Sequence, residues 1–154
     1  MRVFLLPFTS WPSFCRLPAS APRVRLVDWE IAAVNIFEEG LLMAPAYAIP
    51  RLLSRNRLGL ADVNLWEIHE AFAAQACAVA RDLGFDPRKT NPNGGAVALG
   101  HPVGATGIKQ LLEVYRQMKG LCGEDQLKSI PTFGATLNMG GDDKTAVCTV
   151  LKNL

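Results

Sequence analysis

Two histidines are the residues of this sequence best suited to move a proton. His101 stands between Gly100 and Pro102 at the approach to a helix, where the glycine lets the chain come close to a partner and the proline fixes its exit direction. A helix N-terminus beside the ring disfavours the imidazolium, leaving a neutral imidazole that can take a proton. The alternative is a hydrogen-bonded structural histidine. His69-Glu70 lies where an alternating strand runs into a helix, and the C-terminal end of a strand in an open α/β sheet is where ligands bind. For Glu70 the competing reading is a helix-start carboxylate favoured by the dipole. His69-Glu70-Ala71-Phe72-Ala73 is not HExxH, so it predicts no zinc centre, and no other spacing predicts a metal.

Between Asn91 and Gly107 five glycines fall in Asn91-Pro-Asn-Gly-Gly-Ala-Val-Ala-Leu-Gly-His-Pro-Val-Gly-Ala-Thr-Gly107, which marks a loop packed closely against something. It is not a phosphate loop. Ile108 stands where GxxxxGK[ST] needs its lysine, and Gly100, Gly104 and Gly107 miss the GxGxxG spacing.

The elements that must position these groups follow from period. VRLVDWEIAAV, from residue 24, is rich in β-branched and aromatic residues and predicts a strand. Residues 43–57 predict a helix with Pro45 near its start, and residues 62–68 alternate as a strand. Residues 70–83 are Ala-rich and apolar on nearly every side, which predicts a central helix covered by other elements. In 106–119, Ile108, Leu111, Leu112, Tyr115 and Met118 recur at helical spacing and predict one buried face. Strands at about 131–139 and 144–152, joined by Gly140-Gly141-Asp142-Asp143, predict a closing β-hairpin. Pairing 140 with 143 would set Asn138 opposite Thr145 and Cys148 opposite Ala135, on different faces of the sheet. The fold class is α/β, a mixed sheet covered by helices and ending in a hairpin.

The chain has 154 residues, enough for one domain. Sixteen basic and 14 acidic residues leave a net charge of +2, too little to hold a nucleic acid by its phosphates. Cys15, Cys77, Cys122 and Cys148 form no CxxC pair, and no apolar run approaches the ~20 residues that span a bilayer, so the expectation is a soluble protein in a reduced compartment. Residues 1–25 carry four arginines, four prolines and no acid. They are expected to be a leader outside the 26–154 domain: a transit peptide or a misassigned start, with a secretory signal the weaker reading because Pro7 and Pro12 interrupt its apolar part. The compartment is accordingly cytoplasmic, or mitochondrial if the leader is a transit peptide.

Three segments in this order, Trp66-Glu-Ile-His-Glu-Ala-Phe-Ala-Ala-Gln75, the Asn91–Gly107 run and Gly140-Gly141, resemble the C-terminal domain of thiolases, the acetyl-CoA acetyltransferases and 3-ketoacyl-CoA thiolases. The resemblance implies a five-layered α/β unit built from two similar halves, found as dimers or tetramers. It implies acyl transfer from an acyl-cysteine to coenzyme A or to an acetyl-CoA carbanion, in fatty-acid metabolism, with coenzyme A thioesters as substrates and no cofactor. His101 resembles the histidine that activates the acyl-accepting cysteine and shares an oxyanion hole. His69 stands where many thiolases carry an asparagine that holds a catalytic water, with Ala71 and Phe72 beside it in the substrate-binding stretch. Gly140 resembles the glycine whose N–H helps form a second oxyanion hole.

Two departures accompany the likeness. The acyl-accepting cysteine belongs to the N-terminal half of thiolases, which these 154 residues do not include, so the expected partner is such a half or a second copy. The second catalytic cysteine of the Cys-x-Gly-Gly motif is replaced: the text reads Leu137-Asn138-Met139-Gly140-Gly141. An amide can polarise or position but does not shuttle a proton. The expectation is therefore a partial or degenerate acyltransferase domain with Asn138 on the pocket face of His101, inactive as an isolated chain. The alternatives are a non-catalytic thiolase-like module that binds acyl-CoA or a partner chain, and, for Asn138, an ordinary hairpin residue bonded to backbone.

Overall fold

The computed structural model describes residues 23–40, 42–140 and 144–154. Most of the expected leader and the tip of the hairpin, residues 141–143, lie outside the described residues. Strand β1 (Val24–Ala33), helix α1 (Ala44–Arg55), strand β2 (Leu65–Ile68), helices α2 (Ala73–Leu83), α3 (Gly95–Leu99) and α4 (Thr106–Met118), and strands β3 (Phe133–Gly140) and β4 (Thr145–Asn153) follow in chain order. The sheet order is β1-β4-β3-β2, with β2 and β3 parallel and the other pairs antiparallel, so the sheet is mixed.

Residues paired directly across strands share a face. On one face Trp66, Ile68, Leu137, Cys148 and Val150 pack beneath Ile49 and Leu52 of α1 and Val79 of α2. On the other, Leu65 and Leu151 meet Val114 and Met118 of α4. The layers are therefore helix, sheet, helix. Pro45 sits in the first turn of α1, where its missing N–H has no intrahelical partner to lose. At the other end Arg55 donates to Asp28 Oδ2 at 2.8 Å, to Trp29 O at 2.7 Å and to Glu30, clamping α1 to the bulged strand β1. The hydrogen bond from Arg55 holds the Asp28 carboxyl down at about 2.

Four sequence expectations are revised. Helix α2 starts at Ala73 rather than residue 70, and within this chain Val79 is its one fully buried residue. Helix α4 has the one buried face expected, but a mixed one: Met118 is buried and Leu111 packs against the core, whereas Ile108 is 72% and Leu112 52% exposed and Gln110, Glu113 and Gln117 are buried. Strand β2 is four residues long and buried on both faces, so its alternation carries no exposed side. The hairpin register is shifted from the expected one: Gly140 pairs with Thr145, Asn138 with Val147 and Cys148 with Leu137. A shift by an even number of residues keeps Cys148 and Asn138 on opposite faces. Cys148 is buried, and burial pushes its thiol up to about 12.

Candidate active site

The two histidines meet at the C-terminal ends of the parallel pair β2 and β3. His69 follows β2 directly, and its backbone N–H donates to Leu137 O at 2.8 Å, carrying the parallel ladder one residue further. Its ring is 4% exposed. The His101 ring lies over it, 4.2 Å between centroids with the planes at 52°. His101 itself is exposed.

What brings His101 there is the segment in front of α4. The Asn91 side chain clasps the end of β2, accepting from Ile68 N at 2.7 Å and donating to Ile68 O at 3.0 Å, so the glycine-rich run starts pinned beside His69. Gly95 has φ +61°, and a Cβ there would lie 2.5 Å from Glu70 Oε2 and 2.6 Å from Asn91 Nδ2, so no side chain fits. Glu70 does not cap α2. Its Oε2 accepts from Val97 N at 3.1 Å inside α3, joining the strand end to the loop. Lys109 Nζ donates to Gly100 O at 3.1 Å, fixing the residue before His101.

His101 does not enter the helix directly. A turn over 103–105 separates it from α4, and its Nδ1 lies 2.7 Å from the hydroxyl of Thr106, the first helical residue. Thr106 Oγ1 also lies 3.1 Å from Pro102 O, which can only accept. The hydroxyl proton therefore goes to Pro102 O and the His101 Nδ1–H donates to Thr106, so that in the neutral ring the lone pair is on Nε2.

Thr106 belongs to a buried polar row on α4 that sequence reasoning missed. Gln110 Nε2 donates to Glu67 O at 3.2 Å and Leu137 O at 2.9 Å, stitching β2 to β3 beneath the site. Glu113 accepts from Asn93, and Gln117 Nε2 donates to Asn93 Oδ1 at 2.9 Å and to Asp125 O at 2.7 Å. The spacing 106, 110, 113, 117 is itself helical, and that polar period was the signal available. Glu67, two residues before His69, is 2% exposed. Burial, followed by the neighbouring Glu113 and Glu70 carboxylates, pushes its carboxyl up to about 8.

The remaining predicted residues lie on β3, before α2 and in the flanking segments. Asn138 is on β3 on the α4 side of the sheet, where a Cβ on Gly107 would come within 3.1 Å of its Nδ2. Its Oδ1 accepts from Met139 N at 3.1 Å, so it bonds its own backbone and also faces the first turn of α4. Gly140 ends β3 and is exposed. Ala71 is half-buried against the core, and Phe72, preceding α2, is 59% exposed. Cys77 is exposed, and Cys122 lies 3.7 Å from Asn93 Nδ2, with burial raising its thiol. Among the described residues no cluster of His, Cys, Asp or Glu is arranged to hold a metal ion.

A chain with this geometry has many relatives. It is 44% identical over 95 residues to the peroxisomal 3-ketoacyl-CoA thiolase of Saccharomyces cerevisiae, covering 62% of this chain and 22% of that protein. It is 40% identical over 127 residues to the acetyl-CoA acetyltransferase of Rhizobium meliloti, covering 82% of this chain and 30% of that protein. Among solved structures it resembles the yeast peroxisomal 3-ketoacyl-CoA thiolase with a TM-score of 0.70 and 34% identity, over 85% of this chain and 34% of that one. That enzyme is described as a five-layered α-β-α-β-α structure constructed from two core domains of identical topology. The chain thus spans about a fifth to a third of the length of these relatives. The sequence model of the family "Thiolase, C-terminal domain" matches residues 20–141, and with four-fifths of its length inside that match the chain belongs to the thiolase family through its C-terminal domain.

Proposed function

We propose that this chain supplies the base-bearing half of an acyl-CoA acyltransferase site and needs a second half for turnover. The observation that carries the reading is the His101–Thr106 bond, which occupies Nδ1 of an exposed imidazole and leaves Nε2 to act. In this reading His101 takes the proton of an acyl-accepting thiol carried by the other half. His69 and the Gly140 N–H help to hold the thioester oxygen as it gains charge, and Ala71 and Phe72 border the acyl group. Removing one such donor lowers rates ~10²-fold or more.

Support for the second half comes from the surface. Trp29 (52% exposed), Ile31 (49%), Ile108 (72%) and Leu112 (52%) lie on the α4 side of the sheet, and apolar groups gathered in this way mark an interaction face. The partner is a thiolase N-terminal core domain, or a second copy of this chain in its absence. The substrate is a coenzyme A thioester, and the compartment is the cytoplasm or the mitochondrion.

A narrower reading follows from Asn138. An amide at this position polarises a thioester oxygen but takes no α-proton, leaving thioester exchange or hydrolysis with carbon–carbon condensation impaired. Carried to its limit, this makes the chain a non-catalytic module that binds acyl-CoA. The test is a thiolysis assay on the purified 154-residue chain with acetoacetyl-CoA and coenzyme A: no turnover is expected, and robust turnover would overturn the proposal. Light scattering is expected to show association, and a stable monomer at high concentration counts against the apolar partner face.

A further inference from the structure

Beneath the candidate site lies a small gap, partly open to solvent, that no step above uses. It is lined by Glu67 from β2, by Thr106, Lys109, Gln110 and Glu113 from α4, and by α3. About 10 Å³ of it is open to the centre of a water molecule, which is room for one. Two buried oxygens of residues lining this gap, Glu67 Oε1 and Gln110 Oε1, have no hydrogen-bond partner among the described residues. Gln110 has its amide N–H groups committed to Glu67 O and Leu137 O, so it has nothing further to offer the carboxyl.

A neutral Glu67 has one O–H to donate and Gln110 Oε1 can only accept, so a water in a space of this size can accept from the carboxyl and donate to the amide oxygen, and leaving both groups bare is expensive. The charged groups around the gap do not supply the bridge. Glu113 and Lys109 face it from α4, and Glu70 approaches from the segment after β2. The Lys109 ammonium is turned to Gly100 O, and α3 contributes no titratable side chain. Three carboxyls near one engaged ammonium leave negative charge uncompensated, which favours an uncharged Glu67.

We propose that the gap holds one ordered water bridging Glu67 Oε1 and Gln110 Oε1, and that Glu67 is a positioning residue for His101, acting through this water and α4. The water ties β2 to the second turn of α4, one turn from Thr106, which holds the Nδ1 side of the His101 ring. Glu67 thereby sets the height of α4 over the strand that carries His69. The functional part of the proposal rests on His101 being the acting base. The readouts below measure no acyl transfer, so failure of that reading and failure of this one are distinguishable.

The sign of the pH effect is fixed by linkage. Glu67 ionises at about 8 in the folded chain against an ordinary 4.5, so between those values the folded state keeps a proton that the unfolded chain has released. This contribution to stability is largest at low pH, falls as pH rises from about 4.5 to 8 and is level above. Thermal unfolding of the full chain and of E67Q, which never ionises, is followed from pH 5 to 9. The excess of the E67Q midpoint over wild type is expected to grow up to pH 8 and then hold constant, and parallel profiles would overturn the proposal. Carbon-13 NMR of glutamate carboxyls in the wild-type chain needs no variant: one carboxyl is expected to titrate near 8, and all of them titrating below 6 would overturn it. A high-resolution crystal structure is expected to show a water about 3 Å from both oxygens; an empty gap, or an ion with contacts of about 2.4 Å, contradicts it. For the positioning role, the His101 Nδ1–H NMR signal is expected to persist in E67Q and to broaden or shift in a folded E67A. An unchanged signal in E67A would show that Glu67 does not act on His101.

Discussion

The His69 and His101 rings touch at 4.2 Å between centroids, one buried and one exposed, although 31 residues and the helices α2 and α3 separate them in sequence. The buried ring is the wall against which the exposed one rests, and Thr106 fixes the remaining freedom of His101 by holding Nδ1. The ring is thus held from two sides, with Nδ1 engaged by Thr106.

T106V removes the acceptor of the Nδ1–H while keeping the shape of the side chain. Nitrogen-15 NMR of the His101 ring is expected to change from a single Nδ1–H tautomer to a mixture, with a loss of about 1 kcal/mol in stability for the missing bonds. Retention of the single tautomer would show that Thr106 is not the partner that matters.

Asn138 lies on the α4 side of the sheet, close enough to Gly107 that the helix start and β3 leave little slack between them. In a chimera joining residues 24–154 to the N-terminal core domain of the yeast thiolase, N138C is expected to raise acetoacetyl-CoA formation at least ~10-fold, because a thiol can take the α-proton that an amide cannot. Equal condensation rates in the two chimeras would remove Asn138 from the account.

The parts of this site that were legible in sequence are those fixed by backbone chemistry. Gly94-Gly95 and Gly100-His101-Pro102 announce a loop under close packing, and the strand-to-helix change at His69 announces a ligand-facing strand end. Burial was less legible. Periodicity identifies residues that share a helix face without saying which face meets the sheet, and on α4 the polar Thr106, Gln110, Glu113 and Gln117 turn inward because each finds a specific partner there. Ile108 and Leu112 are left outward. The Ala-rich composition of α2 says only that it tolerates close neighbours, and it gives the core one buried valine with Ala80 and Leu83 packed beside it. Glu67 carried no signal in sequence, since its environment is assembled from α3 and α4 far along the chain.

Asp28 gives the fold an acid-sensitive clamp. Its carboxyl, held at about 2 chiefly by the hydrogen bond from Arg55, stabilises the folded chain above the unfolded value near 4, and that contribution is lost as pH falls toward 2. R55M is expected to flatten this acid limb and to loosen α1 from β1, read as the pH midpoint of acid unfolding followed by circular dichroism. An R55M acid limb identical to wild type would show that the clamp does not contribute.

The central claim, that His101 is the base of an acyl-transfer half-site, is tested most directly by thioester exchange between acyl-CoA and labelled coenzyme A in the same chimera. The account predicts measurable exchange that falls ~10²-fold or more in a folded H101A chimera. Exchange at the wild-type rate in H101A would contradict it.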